Sequence, residues 1–287
     1  YQNYYLCPVL EQKTLDNLMN LYQTSGFVKD LVAYSQKEEK QKIHIKGFLG
    51  SALSFAIAQL YLQTNRSILM VTDDKEEAAY WLNDLEALLN QEQVLFYPSA
   101  YRTPYHIEET NNANVVIRTE VLNQLTSHSS PKIIVAYADA LTEKVITKKA
   151  LSTNTLKIKV GTELGLDFIR DMLFSYNFRQ VDFVNEPGEF SIRGGIIDIF
   201  SFADEHPYRI SMFGDEVETI RSFDTSTQLS ISTTKEIKII PNLEDKQFDE
   251  KRISFLEYLH KDTMIIAKNL GVITCLLYTS PSPRDAT

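Results

Sequence analysis

Apolar positions in the first half of the chain fall into two alternating rhythms. Residues 67–74 ("SILMVTDD"), 94–99 ("VLFYPS") and 131–141 ("PKIIVAYADAL") are short, nearly continuous apolar runs, closed or flanked by polar residues. Runs of this length suit strands buried on both faces. Between them the spacing turns helical. Residues 8–38 place Leu15, Leu18, Leu21 and Tyr22 at helical intervals, residues 75–90 do the same with Ala79, Leu82, Leu85 and Leu89, and residues 114–127 read as another helix. A short strand over 42–45, a glycine loop and a helix over 51–63 complete the pattern. Alternating strands and helices predict an α/β fold on a parallel sheet, here over residues 1–141. Ligand sites in such sheets lie beyond the carboxyl ends of the strands.

The rhythm changes after residue 142. Residues 155–164 ("TLKIKVGTEL") predict a strand and a turn, and 165–178 ("GLDFIRDMLFSYNF") a helix with Leu166, Ile169, Leu173 and Phe174 inward. Three strand-like pieces follow, cut by Pro-Gly, Arg-Gly-Gly and Asp-Glu-His-Pro turns. The pattern predicts a small α+β domain over 142–222, an antiparallel meander with one helix. Residues 223–274 offer a strand near "EIKIIPN", a helix over 244–260 and a strand leading into a turn over 264–274, which reads as the start of a further segment cut short.

The candidate chemistry centres on "GFLGSALS", residues 47–54, placed between the first strand and its helix. A working phosphate loop needs glycines that turn backbone N–H groups inward, a lysine for the β/γ-phosphates and a hydroxyl for magnesium. Gly47 and Gly50 remain and Ser54 could reach a metal, but Ala52 replaces the second motif glycine and Leu53 the lysine. Lys46 precedes the first glycine. A helix dipole alone contributes about 1 kcal/mol, too little to hold ATP, so the loop reads as degenerate and non-catalytic. His44, His106, His128, His206 and His260 are scattered, and neither Asp73–Asp74 nor Asp139 completes a hydrolytic or metal site.

Charge narrows the partners. The net charge is −9, which opposes DNA as the main partner of this chain. Apolar runs are too short to span a membrane. Cys7 and Cys275 build neither a disulfide framework nor a zinc spacing, so a reducing cytoplasm is expected. The chain starts without Met and is expected to be a fragment. Residues 275–287 ("CLLYTSPSPRDAT") resemble a translated sequencing adapter, so Cys275 is given no role.

The ordered set "GFLGSALS", "LFYPSAYRTPY", "IIVAYADAL", "VNEPGEFSIRGGIIDIFSF" and "PYRISMFGDEVETIRSFD" resembles the N-terminal region of the bacterial transcription-repair coupling factors (Mfd), itself similar to the repair helicase UvrB. The resemblance covers nearly all of residues 1–274. It implies a degenerate RecA/P-loop-like domain over 1–141 and a UvrA-binding domain over 142–222. The intact loop of UvrB binds ATP, whereas Leu53 matches the degenerate copy of the coupling factors. Only "HIEETNN" stands where UvrB carries its long DNA-clamping hairpin. By the same resemblance, Arg179, Arg193 and Arg209 form the contact to UvrA, with Glu189 and Phe190 as neighbours. Bracing of the turn by an Arg193 pair with Asp198 or Glu189 stays open, and Gly194 and Gly195 are expected to make a tight turn or bulge. No cofactor is expected here; ATP and magnesium, RNA polymerase and DNA belong to motor and polymerase-binding regions of the full-length family proteins. A UvrB-like ATPase and a free-standing DNA-binding repair protein are the alternatives.

Overall fold

The computed structural model describes residues 12–37, 42–100, 112–127, 130–243 and 251–279. The chain begins with helices α1 (Gln12–Thr24), α2 (Gly26–Ser35) and α3 (Ala52–Thr64), then β1 (Ile68–Thr72), α4 (Lys75–Leu88), β2 (Val94–Tyr97), α5 (Asn112–Ser127) and β3 (Ile133–Tyr137). Next come α6 (Ala138–Thr142), β4 (Val145–Ile146), α7 (Lys148–Thr153), β5 (Leu156–Lys159) and α8 (Leu166–Ser175). Six strands follow: β6 (Arg179–Gln180), β7 (Glu189–Arg193), β8 (Ile196–Ile199), β9 (Tyr208–Phe213), β10 (Glu216–Phe223) and β11 (Ser230–Thr234). The last elements are β12 (Glu236–Ile239), β13 (Arg252–Ile253), β14 (Met264–Ala267) and α9 (Leu270–Thr279). Two compact units result: residues 1–96, 130–137 and 260–273, and residues 97–129, 138–259 and 274–287.

The first unit holds a sheet of order β14-β1-β3-β2, in which β1 runs parallel to both neighbours. Every position of β1 and β3 is buried, as their continuous apolar sequence requires. Asp74 caps α4, its carboxylate accepting from the Glu77 N–H at 2.8 Å, and Glu76 and Glu77 complement the dipole of the first turn. A structural role thus accounts for Asp74.

Several expectations for this unit need correction. Residues 8–38 do not form one helix. Ser25 interrupts them, and its hydroxyl caps α2 by accepting from the Val28 N–H; residues 8–11 and 38 lie outside the described residues. Leu21 is exposed, off the packed face. In α4 it is Ala78, not Ala79, that is buried with Leu85. Residues 42–45 form no strand: Ile43 stays exposed, so their alternation finds no layer to pack against. The fourth strand of the sheet is instead β14, supplied from nearly 200 positions along the chain, pairing Ile68–Val71 with Met264–Ala267.

The second unit is built on a sheet of order β11-β10-β9-β8-β7-β6. Its strands are antiparallel except β6, which runs parallel to β7. The sheet passes residue 222 and ends at Thr234, and β12 pairs with β5 in a separate ribbon. Ile169 and Leu173 of α8 belong to the core that contains Phe190, Ile197, Ile199, Ile210 and Ile220. Each such side chain contributes about 1.5–3 kcal/mol on full burial. Phe174 is half exposed but sets its ring edge-on to Phe190 at 5.2 Å. Gly188 has φ +87, and a Cβ there would stand 2.8 Å from the Phe202 ring, so this position admits only glycine without rearrangement.

Two further elements differ from expectation. The described part of 244–260 contains β13 and a 3₁₀ turn at Phe255–Tyr258 rather than a helix, with residues 244–250 outside the described residues. Tyr258 is buried there and its hydroxyl donates to the Ile146 carbonyl at 2.8 Å, a tertiary anchor that helical spacing does not reveal. After β14 the chain enters α9 instead of a turn, and the helix runs to Thr279, inside the stretch that resembles a translated sequencing adapter. Residues 280–287 are outside the described residues.

Candidate partner-binding face and the glycine loop

Strand alternation sorts the second unit's sheet into two faces. Cross-strand register places Ile192, Ile197, Ile210 and Ile220 in one row, facing the core. The next row, on the opposite face, is Ser191, Asp198, Arg209, Arg221 and Thr233. Beside it, on that same outer face, stand Arg193, Ile196 and Ser211. The "SIRGGIID" hairpin sets this geometry. Arg193 pairs with Ile196 across a two-residue turn in which Gly194 takes φ +61, and a Cβ on Gly195 would press to 3.0 Å from the Met212 carbonyl oxygen.

Asp198 is the hub of this face. It points off the core side, as its alternation with Ile197 and Ile199 implies, yet only 1% of its side chain is exposed because two arginines cover it. Arg209 grips it bidentately along one edge of its guanidinium, Nε to Oδ1 at 2.7 Å and Nη2 to Oδ2 at 2.9 Å. Arg209 also donates to Gln228 Oε1 at 2.9 Å and lies 4.3 Å from the Phe223 ring centroid. The bond to Asp198 raises its pKa, against burial. Arg193 makes one side-chain hydrogen bond, Nη2 to Asp198 Oδ2 at 2.5 Å, and packs 5.0 Å from the centroid of Phe183, a ring that is itself largely exposed. The two arginines therefore do different work. Arg209 is saturated and 18% exposed; Arg193 is 40% exposed and keeps fork donors for another acceptor.

Arg179 and Glu189 form a second pair. Arg179 is 70% exposed, while Glu189 is buried and accepts from Arg179, from the Asn185 N–H at 2.9 Å and from the Glu186 N–H at 3.1 Å. Burial pushes the Glu189 carboxyl up, but these hydrogen bonds and the Arg179 charge outweigh it and hold the group below the usual range. Glu189 thus ties the 185–189 loop. Phe190 lies wholly within the core and presents no surface. The structure brings Arg193 and Arg209 together on Asp198, sets Arg179 apart with Glu189, and puts Phe190 on the other side of the sheet. Sequence reasoning missed Phe183 and Arg221. For Arg221 the signal was present, since its place between Ile220 and Ser222 puts it in the outward row.

In the glycine loop, Gly47 and Gly50 both adopt positive φ, at +89 and +55, so the turn is kept. Ala52 opens α3 and Leu53 is partly buried. Ser54 is buried, and its hydroxyl donates to Asp84 Oδ2 at 2.8 Å, which corrects the expectation that it could reach a metal. Leu49 projects from the loop, 86% exposed. Among the described residues no cluster of His, Cys, Asp or Glu is arranged to hold a metal ion, and no helix is long and apolar enough to cross a membrane.

One half-buried acid of the second unit carries a pH signature. Asp204 accepts from the Tyr208 hydroxyl at 2.8 Å, and its pKa is pushed up to about 6 by burial, with the Glu120 charge adding to the effect against the Tyr208 bond. The protonated form favours folding; that contribution is complete below about pH 4, the ordinary carboxyl range, and is lost as pH rises through about 6. Asp204→Asn keeps an acceptor for Tyr208 without the charge. It is expected to stabilise the protein by about 1 kcal/mol at pH 7.5, after discounting for partial solvation, and by nothing resolvable at pH 4.5. Urea melts at the two pH values measure this; an equal gain at both would remove the Asp204 charge as its cause.

Comparison with known proteins locates this face within a family. Residues 156–244 match the family model of the UvrB interaction domain. Over these residues the chain is similar to UvrB interaction domains. The match spans β5 to β12, and so includes the hairpin, Asp198 and all four arginines of the sheet. Over a longer stretch the chain is similar to transcription-repair-coupling factors: 32% identical over 227 residues to that of Bacillus subtilis, covering 79% of this chain and 19% of the relative. The proteins of Myxococcus xanthus (27% over 218 residues, 74% and 18%) and Haemophilus influenzae (28% over 215 residues, 75% and 18%) agree. The chain spans about one fifth of the length of these relatives. The resemblance read from the sequence motifs is borne out.

Proposed function

We propose that this chain is the N-terminal piece of a transcription-repair coupling factor, and that its UvrB interaction domain recruits UvrA to RNA polymerase stalled on DNA for excision repair. The observation that carries the reading is Arg193. It lies inside the matched domain, is held at one edge by Asp198 and is open at the other, as a residue poised for a carboxylate on a partner. On this reading the first unit is a degenerate RecA-like domain. Its glycine loop keeps the strained turn but puts an apolar Leu53 where the charge should be, and commits Ser54 to Asp84. The chain itself is non-catalytic; ATP, magnesium, RNA polymerase and DNA are handled by parts of the protein beyond it. The UvrB-like ATPase is disfavoured by the same loop.

Calorimetric titration of the chain with UvrA tests the proposal. Arg193→Ala is expected to weaken binding about tenfold, 1.4 kcal/mol, with the melting temperature little changed, because Arg209 still covers Asp198. No binding by the folded parent chain would remove the recruiting role.

A further inference from the structure

Arg221 is an anomaly on the outer face. Every other described arginine has an acceptor: Arg66 bonds backbone carbonyls of Asp262 and Ser35, Arg252 those of Lys144 and Leu243, and the rest pair with carboxylates. Among the described residues the Arg221 side chain finds no hydrogen-bond acceptor and no ion pair, and its Nε is buried. Its place makes this worse. Arg221 stands directly opposite Arg209 across β9 and β10, whose fork is already taken by Asp198 and Gln228. Like charges directly opposite in a sheet are destabilising, and a buried donor left unsatisfied costs free energy. The two outward rows thus hold Arg193, Arg209 and Arg221 against a single carboxylate, Asp198. That is an excess of positive charge on a chain whose net charge is −9.

We propose that Arg221 is a second partner-reading residue of this domain, which takes a carboxylate of an acidic segment on the partner beside the one read by Arg193. The proposal rests on the reading that this face binds UvrA, and it adds a residue that the sequence motifs did not single out. Arg221 is only half-buried, and it is its terminal nitrogens, not the buried Nε, that a partner carboxylate would meet on binding. A planar fork suits a carboxylate. The acidic balance of the chain favours a protein carboxylate over a nucleic-acid phosphate. The internal cost of the Arg209–Arg221 juxtaposition is what a residue retained for binding rather than stability leaves in a free structure.

The test reads binding and stability together, using the full chain. Arg221→Gln should weaken UvrA binding about tenfold while the melting temperature holds or rises, and Arg221→Lys should restore only part of the affinity. An unchanged affinity for UvrA in a parent that does bind it would overturn the proposal and leave the recruiting role standing. A fall in melting temperature that accounts for the whole binding loss would overturn it as well, making Arg221 structural. An oligo-glutamate peptide tests the site without UvrA: binding that Arg221→Gln abolishes supports it even if the parent fails to bind UvrA, and no binding of either ligand overturns it. Binding of labelled duplex DNA that depends on Arg221, with UvrA binding unaffected, would reassign the residue to phosphate.

Discussion

Glu143→Ala is expected to cost about 3–5 kcal/mol of stability, the range for breaking a buried ion pair by removing one partner. Its partner Arg118 is among the largest fully buried side chains of the described residues, 1% exposed, with Nη1 3.0 Å from Glu143 Oε2. The same guanidinium donates to the Pro98 carbonyl at 2.8 Å and lies 4.5 Å from the Tyr97 ring centroid. Glu143 also accepts from the Ala100 N–H at 3.0 Å and from the Ser99 hydroxyl. The pair therefore fastens α5 to the segments that follow β2 and α6. Against a typical total of 5–15 kcal/mol, the loss is severe. Urea denaturation reads it, and Glu143→Gln, which keeps one of the two acceptor oxygens, should cost less. An Arg118→Met/Glu143→Leu double variant should regain part of the loss, since no buried charge is left alone. A cost below about 1 kcal/mol for Glu143→Ala would mean that water reaches Arg118 when its partner leaves.

Neither member of that pair was legible in the sequence. Arg118 sits within "NVVIRTEVL", a helix whose apolar spacing was readable, but nothing in the spacing says that its charged residue points inward. Composition ranks Arg among residues kept at the surface, and only its tertiary partner overrides that. The strands at 68–72 and 133–137 were readable because burial on both faces leaves an unbroken apolar run. β14 was readable as a strand but not as a neighbour of β1, because pairing across nearly 200 residues leaves no local mark. The two-residue β6 and β13 are too short for any periodicity to register.

The candidate site was legible in half. The glycines and the alternation around "SIRGGIID" placed Arg193 and Asp198 on one face, and the possibility of their pairing was open from the start. The sequence could not assign the arginines their different work. Arg209 is a brace because Gln228 and Phe223 also hold it, and those partners come from the far side of a turn. Phe190 lies two residues from Ile192, on the core row, so period-two alternation alone places it inside. Its inclusion in the contact set came from the resemblance rather than from the pattern.

Asp198→Asn should show what the hub does. The amide keeps an acceptor for one arginine but removes the only negative charge among Arg193, Arg209 and Arg221. The expected cost is about 2 kcal/mol, below the full penalty for a broken buried pair because Arg193 is 40% exposed and can turn to water. Part of it is repulsion among the arginines, so the deficit should narrow between low and high salt. UvrA binding should also weaken, by about tenfold, because Arg193 loses the contact that fixes its fork and must be ordered at the moment of binding. The alternative is that Asp198 competes with the partner's carboxylate for Arg193. In that case Asp198→Asn binds UvrA more tightly while still losing stability, and the buried acid acts as a stand-in for the partner rather than as a brace. Affinity and stability measured on the same variant separate the two: both fall for a brace, and they move in opposite directions for a stand-in.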